Sequence, residues 1–188
     1  MIPKFLVELG EMQSRIEASD HAGTVLSCSD AMDRAVALVR GQTGAGRKVI
    51  FVGNGGSAAI ASHQAVDYWK NGGMRAVSFN DGALLTCVGN DFGYAHVFEK
   101  PIEMFADPGD VLVAISSSGR SENILRAAAA GARARCRVIT LSGFGAANPL
   151  RRLGEVNFYL PSDSYGHVEI THLAICHCIL DTIIATRG

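Results

Sequence analysis

From Lys48 onward, five short β-rich runs alternate with helical stretches, and that alternation leaves few folds open. The strand candidates are 48–52, 75–79, 111–115, 137–141 and 157–160, with helices predicted at about 57–71, 82–90, 94–105, 121–134, 147–153 and 165–186. Strands joined by helical crossovers of this length pair in parallel and are covered on both faces. The expected fold class is therefore α/β: a parallel five-stranded sheet flanked by helices in a three-layer sandwich. Before it, Phe5, Leu6, Leu9, Met12 and Ile16 predict a helix over 3–18. Val25, Leu26, Met32, Val36 and Val39 predict a second over 24–41. Two helices thus lead into the sheet, and residues 1–45 are expected to pack as a pair on the domain and on an oligomer interface. No repeat, low-complexity tract or Pro/Gly/Ser linker interrupts the chain, so 1–188 reads as one domain.

In open parallel sheets, ligands bind beyond the carboxyl ends of the strands. The first strand runs into Asn54-Gly55-Gly56-Ser57 and an Ala-rich helix. Glycines let the backbone approach an anion, Ser57 offers a hydroxyl, and the helix start offers unpaired N–H groups. The third strand ends in Ser116-Ser117-Ser118-Gly119-Arg120-Ser121, again before a helix that Ser121 could cap. Either loop alone could be a plain turn, but two such loops at one sheet edge favour a phosphate-sized anion. The formal net charge of −1 makes no case for nucleic acid or an anionic membrane, so an anion must be held locally.

No unbroken apolar run of membrane-spanning length and no cleavable leader is visible, so a cytoplasmic location is expected. The five cysteines, 28, 87, 136, 176 and 178, have no CxxC spacing and read as reduced, mostly buried thiols. Cys176 and Cys178 flank His177, but residues two apart diverge on a helix.

The ordered segments GNGGSA, CVGNDFGYAHVFEKPIE and PGDVLVAISSSGRSENIL resemble the sugar-isomerase (SIS) domain family. Within it, the likeness is closest to the phosphoheptose isomerases. The resemblance runs from about residue 48 to the end, and the leading helices fit it. It implies a flavodoxin-like sandwich, a homotetramer with active sites at subunit interfaces, and an aldose–ketose isomerase making a heptose 7-phosphate from sedoheptulose 7-phosphate for heptose biosynthesis. Carried over by position, Asn54, Gly55, Gly56, Ser57, Asp91, Ser116, Ser117, Ser118 and Ser121 bind substrate. Asn54 and Asp91 would meet sugar hydroxyls, the serines the phosphate. The family's usual Asn before the last serine is Arg120 here, which either adds charge to the phosphate site or faces solvent.

His63 and Asp67 are spaced i, i+4, and Glu169 and His177 stand eight apart on the last helix. The resemblance implies that these four converge as an acid–base set and, in some members, a zinc site. Two imidazoles and two carboxylates are a plausible ligand set for a divalent cation, zinc being expected. Moving a proton between C1 and C2 through an enediol needs a base near carbon and an acid near oxygen. Here the chain departs from its relatives: the usual Glu is Asp67, the usual Gln is Glu169, and Gly166 stands where an aspartate is expected, with His167 beside it. Three readings stay open. Asp67 remains the base; or the base has moved to Glu169 while Asp67 helps His63 and His177 hold a metal; or the site takes another sugar phosphate. The second is favoured, with Asp67, Glu169 and His177 as catalytic candidates. His172 is not needed for the set, His21 and His96 are read as surface residues, and Tyr68 and Trp69 as packing or interface residues. Two further functions compete: a non-catalytic SIS adaptor gripping a bacterial replication initiator, and a sugar-phosphate-sensing regulatory domain.

Overall fold

The structure, a computed structural model, describes residues 2–186. Its elements in chain order are α1 (Ile2–Gln13), β1 (Glu17–Ser19), β2 (Val25–Leu26), α2 (Cys28–Gly44), β3 (Val49–Gly53), α3 (Gly56–Lys70), β4 (Ala76–Ser78) and α4 (Gly82–Phe92). They continue with α5 (Glu99–Phe105), β5 (Val111–Ser116), α6 (Glu122–Arg133), β6 (Arg137–Ser142), β7 (Val156–Tyr159) and α7 (Tyr165–Ala185). The helix expected over 94–105 is split into a 3-10 turn at Tyr94–His96 and α5, and the one expected over 147–153 shortens to a 3-10 turn at Pro149–Arg152.

The sheet has seven strands among the described residues, in the order β2-β1-β7-β6-β5-β3-β4. The five expected strands form its parallel part, and their order is the flavodoxin-like one, with the direction of winding reversing between β3 and β5. The expectation of a purely parallel five-stranded sheet is corrected by β1 and β2. Strand β1 pairs antiparallel with β7, Ala18 opposite Phe158, and β2 pairs antiparallel with β1. Two helices therefore do not precede every strand. The reason lies in the turn: Asp20 Oδ1 accepts from the backbone N–H of both Ala22 and Thr24, and Gly23 supplies a φ of 83°. Ala18, buried to 3% exposure, then drops into the core where a helix would have turned it away. Ser27 accepts from Asp30 N and caps α2, which fixes the restart of helix after the hairpin.

Alternation along the strands feeds two cores. Val49, Phe51, Val113, Ile115, Ile139 and Phe158 face α2, α3 and α7. Ile50, Val52, Leu112, Ala114 and Val138 face α5 and α6. At the N-terminal end of the sheet, buried Lys48 lies between Asp110 and Asp107, while Asp110 Oδ1 accepts from Lys48 N at 2.9 Å. Such paired, hydrogen-bonded burial is the condition under which an interior charge is tolerated. Helix α7 has a window of mean hydropathy 1.6, enough by length and composition to cross a membrane, which the sequence reading does not anticipate. Its apolar positions Val168, Ile175, Ile179, Leu180 and Ile183 are buried against the rest of the fold.

Candidate active site

The reversal of winding places the loops after β3 and β5 side by side. Between them lies a cleft of about 250 Å³ lined by Asn54, Gly55, Gly56, Ser57, Ser116, Ser117, Ser118, Ser121, Tyr165 and Glu169. Each loop has a local reason for its path. Gly53 allows α3 to close over the strand end, since a Cβ there would meet Ser57 O at 2.5 Å. Gly119, at φ 61°, turns the serine loop and presses on buried Asn148, whose Oδ1 lies 2.0 Å from where a Cβ would be. Asn148 in turn donates to Gly143 O and Gly145 O and accepts from Arg151 N, bracing the loop after β6, which backbone bonds from Gly143 N to Ser117 O and from Leu150 N to Gly119 O join to the serine loop.

The hydroxyls are arranged to receive an acceptor. Ser117 Oγ is buried without a hydrogen-bond partner among the described residues, a state that costs free energy unless a ligand supplies one. Ser121 occupies the N-cap position of α6 but makes no side-chain capping bond; it accepts from Ser116 Oγ at 3.3 Å instead. Ser118 Oγ accepts from Arg120 N, while Arg120 itself is exposed and outside the cleft lining. The start of α3 adds the N–H groups that a first helical turn leaves unpaired.

The acid–base quartet divides. His63, Asp67 and His177 gather, their potential ligand atoms all within 4.8 Å of one another. His63 Nε2 lies 2.9 Å from Asp67 Oδ2, the two imidazole centroids are 5.5 Å apart, and Asn71 Nδ2 donates to Asp67 Oδ1 at 3.2 Å. Glu169 stands apart from this group, with its carboxylate in the serine cleft against Gly56. The eight residues between Glu169 and His177 amount to about 12 Å of helix, so a shared face does not bring them together. Cys176 and Cys178 are not in the group; burial pushes the Cys176 thiol up to about 12, whereas Cys28, Cys87 and Cys178 are exposed, against the expectation of mostly buried thiols.

Asp91 lies on α4 outside the cleft, with Asn90 Nδ2 donating to it at 2.8 Å. His167 packs on Phe5 of α1 with ring centroids 4.8 Å apart, and Gly166 borders the same ring. His172 is buried with Nε2 3.1 Å from Ser142 O, and burial lowers it to about 4, so it is a neutral core group donating from Nε2. Tyr68 is also core, donating to Cys176 O, whereas Trp69 is exposed.

Some participants are missed by sequence reasoning. Asn54 and Asn123 exchange carboxamide hydrogen bonds of 2.9 and 2.8 Å, and Tyr94 OH donates to Asn54 Oδ1 at 3.1 Å. Tyr165 joins the cleft from the first turn of α7, braced edge-on by Phe144. Asn123, two residues past Ser121, and Tyr94 both lie inside segments that carry the resemblance, a signal that could have been read.

The sequence profile of the SIS domain matches residues 22–143. A phosphoheptose isomerase from Bradyrhizobium is 42% identical over 149 residues, covering 74% of this chain and 73% of its own. One from Akkermansia muciniphila is 32% identical over 171 residues, covering 88% and 90%. The solved phosphoheptose isomerase of Neisseria gonorrhoeae superimposes with a TM-score of 0.84 at 27% identity, over 97% of each chain. The chain belongs to the SIS-domain family and, within it, to the phosphoheptose isomerases.

Proposed function

We propose that this protein is an aldose–ketose isomerase that converts sedoheptulose 7-phosphate to a heptose 7-phosphate, in the cytoplasm. The observation that carries the reading is the joining of both phosphate-type loops and a carboxylate, Glu169, in one cleft at the point where the sheet reverses its winding. Ser57, Ser116, Ser117, Ser118 and Ser121, with the N-terminus of α3, hold the phosphate through donors. Glu169 serves as the base that takes a proton from C1 and returns it to C2. Asp67 is less suited to that task, because both its oxygens are engaged, by His63 and by Asn71.

His63, Asp67 and His177 fit a divalent cation, with zinc the proposed ion: two imidazoles and one carboxylate are a common catalytic zinc set that leaves a position open. Glu169 is left out of that set. When bound, the ion would polarise the substrate oxygens that exchange carbonyl character. His177 then serves to hold it rather than to move the carbon-bound proton.

Assembly into a homotetramer is supported by apolar surface that the chain leaves bare. Residues 82–92 form an apolar helix with no buried position, and Phe92, Met104 and Phe105 nearby are more than half exposed. Asp91 on this helix would complete a neighbouring copy's site, and α1 and α2 would extend the contact. Incubation with sedoheptulose 7-phosphate, followed by NMR for the aldose, tests the assignment. A protein that binds the sugar phosphate without forming aldose would instead be a sensor or adaptor.

A further inference from the structure

Two carboxamides that exchange hydrogen bonds are indifferent to being turned over together, because nitrogen and oxygen simply trade places. Asn54 and Asn123 make such a pair at the edge of the cleft. A third group biases the pair: a phenol donates a hydrogen bond far better than it accepts one, and Tyr94 OH lies 3.1 Å from Asn54 Oδ1, so the favoured arrangement has that oxygen accepting twice, from Tyr94 and from Asn123. Both lone pairs are thereby occupied, and Asn54 Nδ2, which gives one N–H to Asn123, keeps a second. We propose that Tyr94 is a positioning residue that fixes the Asn54 carboxamide so that the cleft meets an N–H donor rather than a carbonyl acceptor. This rests on the isomerase reading, in which the ligand presents oxygen acceptors along its length.

The footing of Tyr94 suits the role. The residue is 61% exposed and contributes little to the core. The backbone beneath it is firmly held: Gly93, at φ 86°, ends α4 and turns the chain into the 3-10 turn, and Val97 and Phe98 directly after it are buried. His96 in the same turn lies 2.6 Å from Glu99, a nearly buried carboxylate that also accepts from Arg133 on α6. The hydroxyl is thus delivered from a rigid base to one atom of the cleft.

The test compares wild type with Tyr94→Phe in the full chain, labelled with ¹⁵N at its seven asparagines. Loss of the hydroxyl is expected to shift the Asn54 and Asn123 side-chain amide resonances and to leave the melting temperature unchanged. With sedoheptulose 7-phosphate, kcat/KM should fall about threefold to tenfold, the worth of one neutral hydrogen bond. In an Asn54→Ala background the same substitution should add nothing. Unmoved amide resonances, or two losses that simply add, would overturn the proposal. The spectra need no substrate, so a wild type without turnover would sink the isomerase reading while the resonances still decide the role of Tyr94.

Discussion

The Glu169 carboxylate rests directly on Gly56: a Cβ at that glycine would stand 2.3 Å from Oε2 and 2.4 Å from Oε1. The obstructed atoms are the far end of a flexible side chain, and alanine is a better helix residue than glycine. Gly56→Ala should therefore fold with a melting temperature within a few degrees of wild type, yet displace Glu169 from the cleft. Turnover of sedoheptulose 7-phosphate should drop at least tenfold, the effect of moving a base out of reach. A variant with full activity would show that the position of Glu169 is immaterial.

The two carboxylates can be ranked directly. Glu169→Gln keeps shape and removes the base, so kcat should fall by about 10²- to 10⁴-fold. Asp67→Asn, beside His63, should act mainly on metal affinity and be partly restored by added zinc. If Asp67→Asn alone abolishes turnover in excess zinc, Asp67 is the base.

The metal group makes its own prediction. Protein exposed to zinc and then dialysed should retain about one ion per chain by elemental analysis, and His63→Ala or His177→Ala should lose it. Cys178→Ser should retain it, because that thiol lies outside the cluster despite its adjacency in sequence. Retention by both histidine variants would place the ion elsewhere.

Legibility followed the range of the interactions. Strands 49–53 and 111–116 and the turns after them are written in contiguous residues, and the topological rule for parallel sheets then brings Ser57 beside Ser116 and Ser121 without further information. The β1–β2 ribbon was hidden because β1 is three residues long, its partner Phe158 is remote in sequence, and Ile16 continues the helical period by coincidence. Glu169 and His177 share a helix face as their spacing says; what the face alone could not say is how far apart along the axis they would lie. Contacts between loops, such as Gly119 on Asn148 or Tyr94 on Asn54, exist only once the sheet has ordered those loops.

Gly119 shows how tightly that ordering is specified. Alanine there would need φ 61°, a region costly for a residue with a Cβ, and would bring the methyl within 2.0 Å of Asn148 Oδ1. Asn148 is buried and cannot yield without breaking its bonds to Gly143, Gly145 and Arg151. Strain plus a disturbed buried network should cost about 2–4 kcal/mol, measured by urea denaturation, with phosphate affinity falling in parallel. A loss below about 0.5 kcal/mol would mean that the loop has another low-energy path.

His172 sets a pH dependence. Burial holds its imidazole at about 4 in the folded chain, against an ordinary value near 6.5. Between these values the unfolded chain binds a proton that the folded chain refuses, so stability falls as pH drops through that window and the full contribution is lost below about 4. The loss amounts to about 3 kcal/mol at most. Unfolding by urea at pH 7 and at pH 4.5 should show it, and His172→Gln, which can still donate to Ser142 O but does not titrate, should flatten the difference. Because His172 lies outside the cleft lining, the substitution should leave the pH profile of kcat in place, separating a core imidazole from one that handles substrate protons.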